Sequence, residues 1–260
     1  MYLVLLLTKH LELKQRSFFG KTNKIPMNYT IPILMYHSIS DEFDKLSVHK
    51  KAFSKQMNLM KKLGYETINL SELNNSTSKK NFIITFDDGY IDVFKNAFPI
   101  LKKLNYKATV FIVSELLNSS NKWDDKKENF KKKELMSNHQ ILQLIKEGYE
   151  IGSHTLNHID LTSATDSDAE NEIYQSKIDI EKKFNNKVLC FSYPYGSYNK
   201  NICNKVSKHY KFAVTTKRSR YKKNKFNNYT LPRVPINSNT GICKFYIKIK
   251  TFYEDLKFVN

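Results

Sequence analysis

Six short apolar runs alternate along this chain with amphipathic helical patterns, and this alternation limits the fold more than any other feature of the sequence. Apolar residues recur at helical spacing in residues 51–63 and again in residues 166–184. Because alternating strands and helices pair as parallel βα units, the pattern predicts a parallel sheet, and a chain of this length can build a single α/β barrel with a substantial core. The strand-like runs are residues 31–36, 82–86, 108–113, 149–153, 188–193 and 212–215.

Two adjacent carboxylates, Asp87 and Asp88, directly follow the second of these runs, and Gly89 then allows a sharp turn. Chemistry in α/β folds is usually placed where strands end. The backbone leaves regular strand geometry there, so one carboxylate can bind a cation while its neighbour addresses a water beside it. The alternative is a solvated acidic turn.

A histidine pair, His154 and His158, follows another strand-like run with a spacing of four residues. On a helical turn this spacing would place both imidazoles on one face, as a single divalent ion requires. With Asp88 they form a set of three ligands, which leaves a coordination position open for water. Two surface histidines are the alternative, but the two motifs together favour a metal-assisted hydrolase.

These motifs resemble those of the polysaccharide deacetylases of carbohydrate esterase family 4, which have a NodB-like domain. Residues 85–90 resemble the first family motif, residues 153–158 the second, and residues 191–196 the third in the form found in poly-N-acetylglucosamine deacetylases. The resemblance covers most of residues 31–240. It implies a distorted (β/α)7 barrel with the site at the C-terminal ends of the strands. Residues 1–30 are then an N-terminal extension, and residues 241–260 a C-terminal helix or tail.

The resemblance also implies roles for individual residues. Asp87 is expected to be the general base, and Asp88, His154 and His158 to hold the metal. The backbone N–H of Tyr195 is expected to stabilise the oxyanion. The metal expected is Zn²⁺, although the same ligands suit Co²⁺, Ni²⁺ and Fe²⁺.

The chain departs from the commonest family pattern at the acid, because no histidine follows His209. His37 directly follows the first strand-like run, and the segment of residues 33–39 is similar to the N-terminal segment of the poly-N-acetylglucosamine subgroup. We therefore predict that His37 is the catalytic acid, since the pKa of a histidine can be tuned near neutrality. A histidine satisfied in the core is the alternative.

A second departure concerns the arginine that begins the common third motif, where this chain has Ser192 or Tyr193. Arg233 is predicted to substitute by holding the catalytic carboxylate in a bidentate pair. The alternative is that Arg233 only anchors a loop.

Aromatic side chains that stack on sugar rings are the remaining candidates for substrate contact. Tyr195 is one. Trp123, the single tryptophan, lies in a polar stretch at residues 117–136 that is typical of a surface loop and could cover the cleft. We expect Trp123 to pack on its own domain and leave it out of the predicted site.

The formal charge of +18 suggests attraction to anionic partners. Only four of the basic residues are arginines, however, and specific nucleic-acid recognition usually uses arginine forks, so nucleic-acid binding is not expected. Lysines in residues 217–225 could contact a membrane surface, consistent with a lipid-linked sugar substrate, although a solvated loop is the simpler interpretation. A monomer is expected.

Features that bear on location favour a reducing compartment. Residues 2–7 are apolar, but no basic region precedes them and no small-residue cleavage site follows, and the run is too short to span a bilayer. Cys190, Cys203 and Cys243 cannot all pair. The sequence predicts the cytoplasm or the inner face of the membrane. The cell envelope or secretion is the alternative, since relatives often act there.

Together these features predict a metal-dependent deacetylase of N-acetylated amino sugars in a cell-surface polysaccharide or its lipid-linked precursor. One alternative is a carbohydrate O-acetyl esterase that uses the same residues. Another is a basic glycan-binding protein that retains the fold without turnover. The sequence does not specify the sugar, the polymer length or the linkage.

Overall fold

The computed structural model describes residues 30–257 except residues 43, 127, 129 and 224. The predicted N-terminal extension therefore lies, apart from its last residue, outside the described part of the chain. Residues 258–260 also lie outside it.

Strands and helices alternate through most of the described chain. The strands are β1 Thr30–Ile31, β2 Ile33–Tyr36, β3 Ser38–Ile39, β4 Ser47–Val48, β5 Glu66–Thr67, β6 Asn81–Phe86, β7 Thr109–Ile112, β8 Glu150–Ser153, β9 Cys190–Ser192, β10 Phe212–Arg218, β11 Tyr221–Lys222 and β12 Leu231–Pro235. The α-helices are α1 Lys50–Lys62, α2 Phe98–Leu104, α3 Asn138–Lys146, α4 Asp166–Phe184, α5 Lys200–His209 and α6 Ile242–Lys250. Short 3₁₀ helices lie at Leu70–Asn75, Ser114–Leu116, Lys122–Asp124, Pro194–Gly196 and Asp255–Lys257, and a π-helical segment at Val93–Ala97.

Seven parallel strands close into a barrel in the order β2, β12, β10, β9, β8, β7 and β6, and β6 pairs back with β2. β5 pairs in parallel with the first two residues of β6. The predicted (β/α)7 barrel is confirmed, and all six predicted strand runs contribute to it. The two predicted helical stretches correspond to α1 and α4 within one residue.

Alternate residues of each barrel strand face two different apolar clusters. Ile33 and Ile83 belong to a smaller cluster inside the barrel, whereas Leu34 and Ile84 pack against the helices outside. Because the side-chain period of a strand is two, continuing the inward set along β6 leads from Ile83 to Asp87. The barrel interior is therefore apolar in its lower part and becomes polar where the strands end.

Local capping sets the boundaries of α4, one of the helices outside the barrel. The Thr165 side chain accepts a hydrogen bond from the backbone N–H of Asp168 at the start of α4, and the helix ends at Asn185 in the left-handed conformation. Ala169, Ile173 and Ile180 lie on its buried face.

Among the residues that the structure describes, no helix combines the length and apolar character needed to cross a bilayer.

Gly152 in β8 provides the first test of this fold. A Cβ at this position would lie 2.5 Å from the Phe111 ring and 2.9 Å from the Cys190 carbonyl oxygen. We expect Gly152→Ala to lower the free energy of unfolding by about 1–3 kcal/mol because the barrel interior would be overpacked. Urea titration measures this change. Gly241→Ala is the control, since a Cβ there meets nothing within 4 Å, and an equal loss in both variants would contradict the expectation.

Candidate active site

The predicted site residues meet at one end of the barrel, Arg233 from within β12 and the others from beyond the ends of β2, β6, β8 and β9. Tyr36 in β2 pairs with Phe86 in β6, so His37 and Asp87, the next residue of each strand, lie side by side. The backbone N–H of His154 donates to the Ile112 carbonyl at the end of β7. Parallel pairing brings the C-terminal strand ends together, so residues far apart in sequence share one cleft.

Asp87 forms a bidentate ion pair with Arg233, which is fully buried. Each oxygen of Asp87 accepts a hydrogen bond of 2.7 Å from a different terminal nitrogen of the guanidinium. The same guanidinium donates to Thr85 Oγ1 at 3.1 Å, to Ser192 Oγ at 3.3 Å and to the Thr215 carbonyl at 3.0 Å. Arg233 thus contacts the carboxylate it was predicted to hold.

The surroundings of Asp87 favour its ionised form. Burial by itself raises the pKa of Asp87, but the charge and hydrogen bonds of Arg233 outweigh burial and hold that pKa below its ordinary value. His37 Nε2 lies 3.9 Å from Asp87 Oδ2, and the His37 side chain is 18% exposed. The structure therefore places a solvent-accessible imidazole beside an ionised carboxylate.

Asp88 turns the opposite way, toward the histidine pair. Its backbone has φ 72° and Gly89 follows with φ 73°, so the chain leaves β6 in a tight left-handed turn that separates the two carboxylates. Asp88 Oδ1 lies 3.3 Å from His154 Nε2 and 3.4 Å from His158 Nε2. All three side chains are buried, and their candidate ligand atoms lie within 4.8 Å of one another.

The prediction that a helical turn carries the histidine pair is wrong. Residues 154–160 form a loop, in which Thr155 has φ 69° and His158 has φ 61°. Left-handed backbone costs a residue other than glycine about 1–3 kcal/mol, so the surrounding structure must stabilise this loop. The imidazoles converge because the loop folds back over the end of β8, rather than through helical periodicity.

Protonation of the two histidines differs because both face one carboxylate oxygen. Burial lowers the pKa of His154, but the hydrogen bond to Asp88 and the charges of both aspartates outweigh burial and raise it. Burial also lowers the pKa of His158, and the hydrogen bond to Asp88 does not compensate, since the charge of His154 lowers that pKa further. Two imidazoles at one oxygen thus disfavour double protonation, and a neutral imidazole is the form that binds a metal.

The donor set fits a divalent ion. One carboxylate and two imidazole nitrogens converge, and His154 is oriented by a 2.7 Å hydrogen bond between Nδ1 and the Ser192 carbonyl oxygen. Such an outer contact is typical of metal-binding histidines. Asp88, His154 and His158 are therefore the residues that would hold a metal.

Tyr195 borders the site in an unusual backbone conformation, with φ 59° and ψ 0°. Gly196 follows with φ 73°, and a Cβ there would lie 2.0 Å from Thr216 Oγ1. The Tyr195 ring meets the His158 ring edge to face at 4.7 Å and is 46% exposed. The turn therefore presents both the backbone and the ring of Tyr195 beside the candidate metal ligands.

Trp123, which we left out of the predicted site and expected to pack on its own domain, does pack on the core and also lies beside a candidate metal ligand. Its ring stacks on His158 at 4.5 Å between centroids with an interplanar angle of 21°, and it also contacts Tyr90 at 6.5 Å. The loop folds inward because Asn121 and Lys133 pair through their backbones, and the Lys133 ammonium donates to Ser38 at 2.8 Å. In the sequence, the feature that could have indicated this position is that the single tryptophan lies in a charged loop.

Sequence reasoning also missed Glu172, which is buried on α4 and accepts hydrogen bonds from the loop between the two histidines. The signal was present, because Glu172 falls on the same helical stripe as Ala169 and Ile173, where a charged residue is unexpected.

Sequence reasoning also did not predict the contact that Ser192 makes with Arg233. Ser192 stands where the common pattern has arginine, and its hydroxyl contacts Arg233 instead.

Comparison with known proteins identifies a family. Residues 74–213, a little over half of the chain, match the family model described as Polysaccharide deacetylase. A Bacillus subtilis (strain 168) relative, YxkH, whose name assigns it to the polysaccharide deacetylases, is 33% identical over 193 residues. The match covers 72% of this chain and 64% of YxkH, so the chain spans less than two thirds of that relative.

Two further relatives agree with this match. The poly-beta-1,6-N-acetyl-D-glucosamine N-deacetylase of Staphylococcus aureus (strain N315) is 24% identical, over 82% of this chain and 75% of that protein. The solved structure of the Streptococcus pyogenes deacetylase PplD in complex with acetate superposes with a TM-score of 0.73 and 27% identity, covering 85% of this chain and 98% of that one.

The pair of Asp87 and Arg233 can be tested by a double-mutant cycle on metal-free protein. We expect Arg233→Met to lower the free energy of unfolding by about 3–5 kcal/mol, because it leaves Asp87 buried without its cation. Adding Asp87→Asn should recover part of that loss. Additive effects of the two substitutions would show that the pair does not act as a unit.

The same pair predicts a pH dependence with a definite sign. Because the pKa of Asp87 is lowered in the folded protein, its contribution to stability is complete above the unfolded pKa and is lost as pH falls through the folded pKa. The stability difference between wild type and Arg233→Met should therefore shrink as pH falls from 7 to below about 4. Urea titrations at stepped pH measure this difference, and one that grows on acidification would contradict the assignment.

Proposed function

This chain belongs to the polysaccharide deacetylase family, hydrolases that act on carbon–nitrogen bonds, and from that premise we propose that it is a metal-dependent enzyme that removes acetyl groups from N-acetylated amino sugars. The substrate proposed is a cell-surface polysaccharide or its lipid-linked precursor. One observation carries the proposal: Asp88, His154 and His158 converge beside an Asp87 that Arg233 holds.

A divalent ion held by Asp88, His154 and His158 would polarise the acetamide carbonyl and lower the pKa of a water beside it. The ligand types suit Zn²⁺ and also Co²⁺, Ni²⁺ or Fe²⁺. Burial of all three ligands fixes their positions and excludes bulk water from that side of the cleft.

Asp87 is the proposed general base. Its lowered pKa keeps it ionised at neutral pH, so it can accept the proton of the water that attacks the acetamide carbon. Arg233 holds both carboxylate oxygens and prevents Asp87 from turning toward the neighbouring ligands. The proton of the attacking water therefore moves to a carboxylate whose orientation is set before the substrate binds.

His37 is the proposed acid. An amine leaves poorly unless it is protonated as the carbon–nitrogen bond breaks, and His37 Nε2 lies 3.9 Å from Asp87 Oδ2. Its partly exposed ring can regain a proton from solvent after each turnover. Acid and base thus come from the adjacent ends of β2 and β6.

Tyr195 and Trp123 complete the proposed cleft. The Tyr195 backbone N–H would donate to the developing oxyanion, and its left-handed conformation is consistent with a backbone group used in this way. The exposed Tyr195 ring and the Trp123 ring both contact the His158 ring. Both offer apolar faces on which a sugar ring can stack.

Acetate release from N-acetylglucosamine oligomers tests the proposal directly. We expect Asp87→Asn to lower the release rate by about 10²–10⁴-fold, because the general base is removed while its shape is kept. Asp179→Asn, a carboxylate change on the far part of α4, is the matched control and should retain full activity. A metal-loaded wild-type protein that releases no acetate from any N-acetylated glycan would overturn the proposed function.

Metal removal gives a readout that does not depend on turnover. Chelation should abolish acetate release, and added Zn²⁺ or Co²⁺ should restore it. The ion should also stabilise the fold, by about 2.7 kcal/mol at a free concentration of one hundred times Kd. Thermal unfolding with and without metal measures this stabilisation, which His154→Ala and His158→Ala should both lose. Stabilisation that survives either substitution would place the ion elsewhere.

The His37 assignment separates amide from ester hydrolysis. An alkoxide leaves more readily than an amine, so His37→Ala should impair release from N-acetyl substrates by about 10²–10⁴-fold and from O-acetyl substrates much less. His139→Ala, which removes an exposed histidine on α3, should change neither rate. Equal losses on both substrate classes would show that His37 does not protonate the leaving group.

A further inference from the structure

The loop that joins the two candidate metal ligands does not hold its shape through regular structure. Thr155 and His158 both have left-handed backbone, with φ 69° and 61°. A β-branched residue such as Thr155 rarely adopts that conformation. One local bond helps, since the His158 N–H donates to Thr155 Oγ1 at 2.9 Å. The position of His158 therefore depends on contacts from outside the loop.

Glu172 on α4 supplies a group of such contacts. Its Oε2 accepts hydrogen bonds from the backbone N–H groups of Leu156 at 2.9 Å and Asn157 at 3.0 Å. Its Oε1 accepts from the Asn157 side-chain amide at 2.9 Å. All three donors lie between His154 and His158 in sequence, so one carboxylate holds two consecutive residues of the connection. The Thr155 and Leu156 carbonyls of that connection also accept from the Ser114 and Glu115 N–H groups.

The burial of Glu172 indicates that its carboxylate bonds to the loop instead of pairing with a charged side chain at the surface. Its side chain is nearly buried, at 6% exposure, and none of the ion pairs among the described residues includes it. Three N–H donors approach its two oxygens, and a carboxylate satisfies them all because it only accepts. A glutamine would present an NH₂ group toward one of these donors.

The two histidines differ in what orients their rings. His154 has a hydrogen bond from Nδ1 to the Ser192 carbonyl oxygen. His158 Nδ1 is buried and makes no hydrogen bond with any residue that the structure describes. Its ring is held by Trp123 and Tyr195 and by the backbone that carries it. A shift of the loop therefore moves His158 more readily than His154.

From these contacts we propose that Glu172 is a positioning residue for the metal centre, which sets the place of His158 through the loop at residues 155–157. The proposal rests on the proposed function, because it assumes that His158 is a metal ligand. Glu172 does not touch substrate or metal. Its effect passes through the backbone of Leu156 and Asn157, so a helix outside the barrel controls the geometry of a ligand inside the cleft.

The test compares Glu172→Gln with Glu170→Gln in the full chain. Glu170 lies on the same helix, but its carboxylate pairs with Lys205 and His209, away from the loop. The readouts are Kd for Co²⁺, the visible absorption spectrum of the Co²⁺-loaded protein, and the melting temperature of the metal-free protein. We expect Glu172→Gln to weaken Co²⁺ binding by about 10–100-fold and to change the spectrum. Glu170→Gln should match wild type in both.

Asn157→Ala keeps the test decisive if Glu172→Gln does not fold. This exposed residue loses only the side-chain contact to Glu172, so we expect a smaller but measurable loss of Co²⁺ affinity at an unchanged melting temperature. Wild-type affinity and spectrum in a folded Glu172→Gln, or in Asn157→Ala, would overturn the proposal. A wild-type protein that binds Co²⁺ yet releases no acetate would overturn the proposed function instead.

Discussion

The buried ion pair of Arg233 with Asp87 is the interaction on which the rest of the structure depends. Two charges lose their hydration inside the barrel, and such burial is tolerated only when hydrogen bonds satisfy both groups. Here the guanidinium also bonds to Thr85, Ser192 and Thr215. These partners come from β6, β9 and β10, so the pair ties three strands to β12 at the end where the barrel opens into the cleft.

That arrangement explains how two adjacent carboxylates, Asp87 and Asp88, contact different partners. Asp87 continues the inward-facing set of β6 and meets Arg233, whereas the left-handed turn at Asp88 sends the second carboxylate toward the histidines. The strand end therefore sends two adjacent carboxylates to different partners, the first to a guanidinium and the second to two imidazoles. His37 reaches Asp87 from β2, because the barrel closes through the pairing of β2 with β6.

Local patterns predicted much of this molecule, since strand and helix periodicities depend on near neighbours. The strand runs, α4 and the donor set of Asp88, His154 and His158 were all readable in the sequence. The predicted helical turn for the histidines was wrong, because two histidines four residues apart can also lie in a loop that hydrogen bonds hold in shape. The contact of Trp123 with His158 was not readable for a similar reason, since its loop is held inward by contacts that no local pattern contains.

The sequence by itself determined the parallel βα units, through the alternation of its runs, and the chemistry available at the strand ends, while its motifs implied the barrel by resemblance. Only the tertiary structure decided which of those groups meet. Arg233 and Asp87 are 146 residues apart, and the contact of Glu172 with the histidine loop joins a helix outside the barrel to the cleft. Such pairings follow from how the barrel closes and how its helices pack. A hydrogen bond between distant residues depends on that closure, and the local periodicity of the chain carries no record of it.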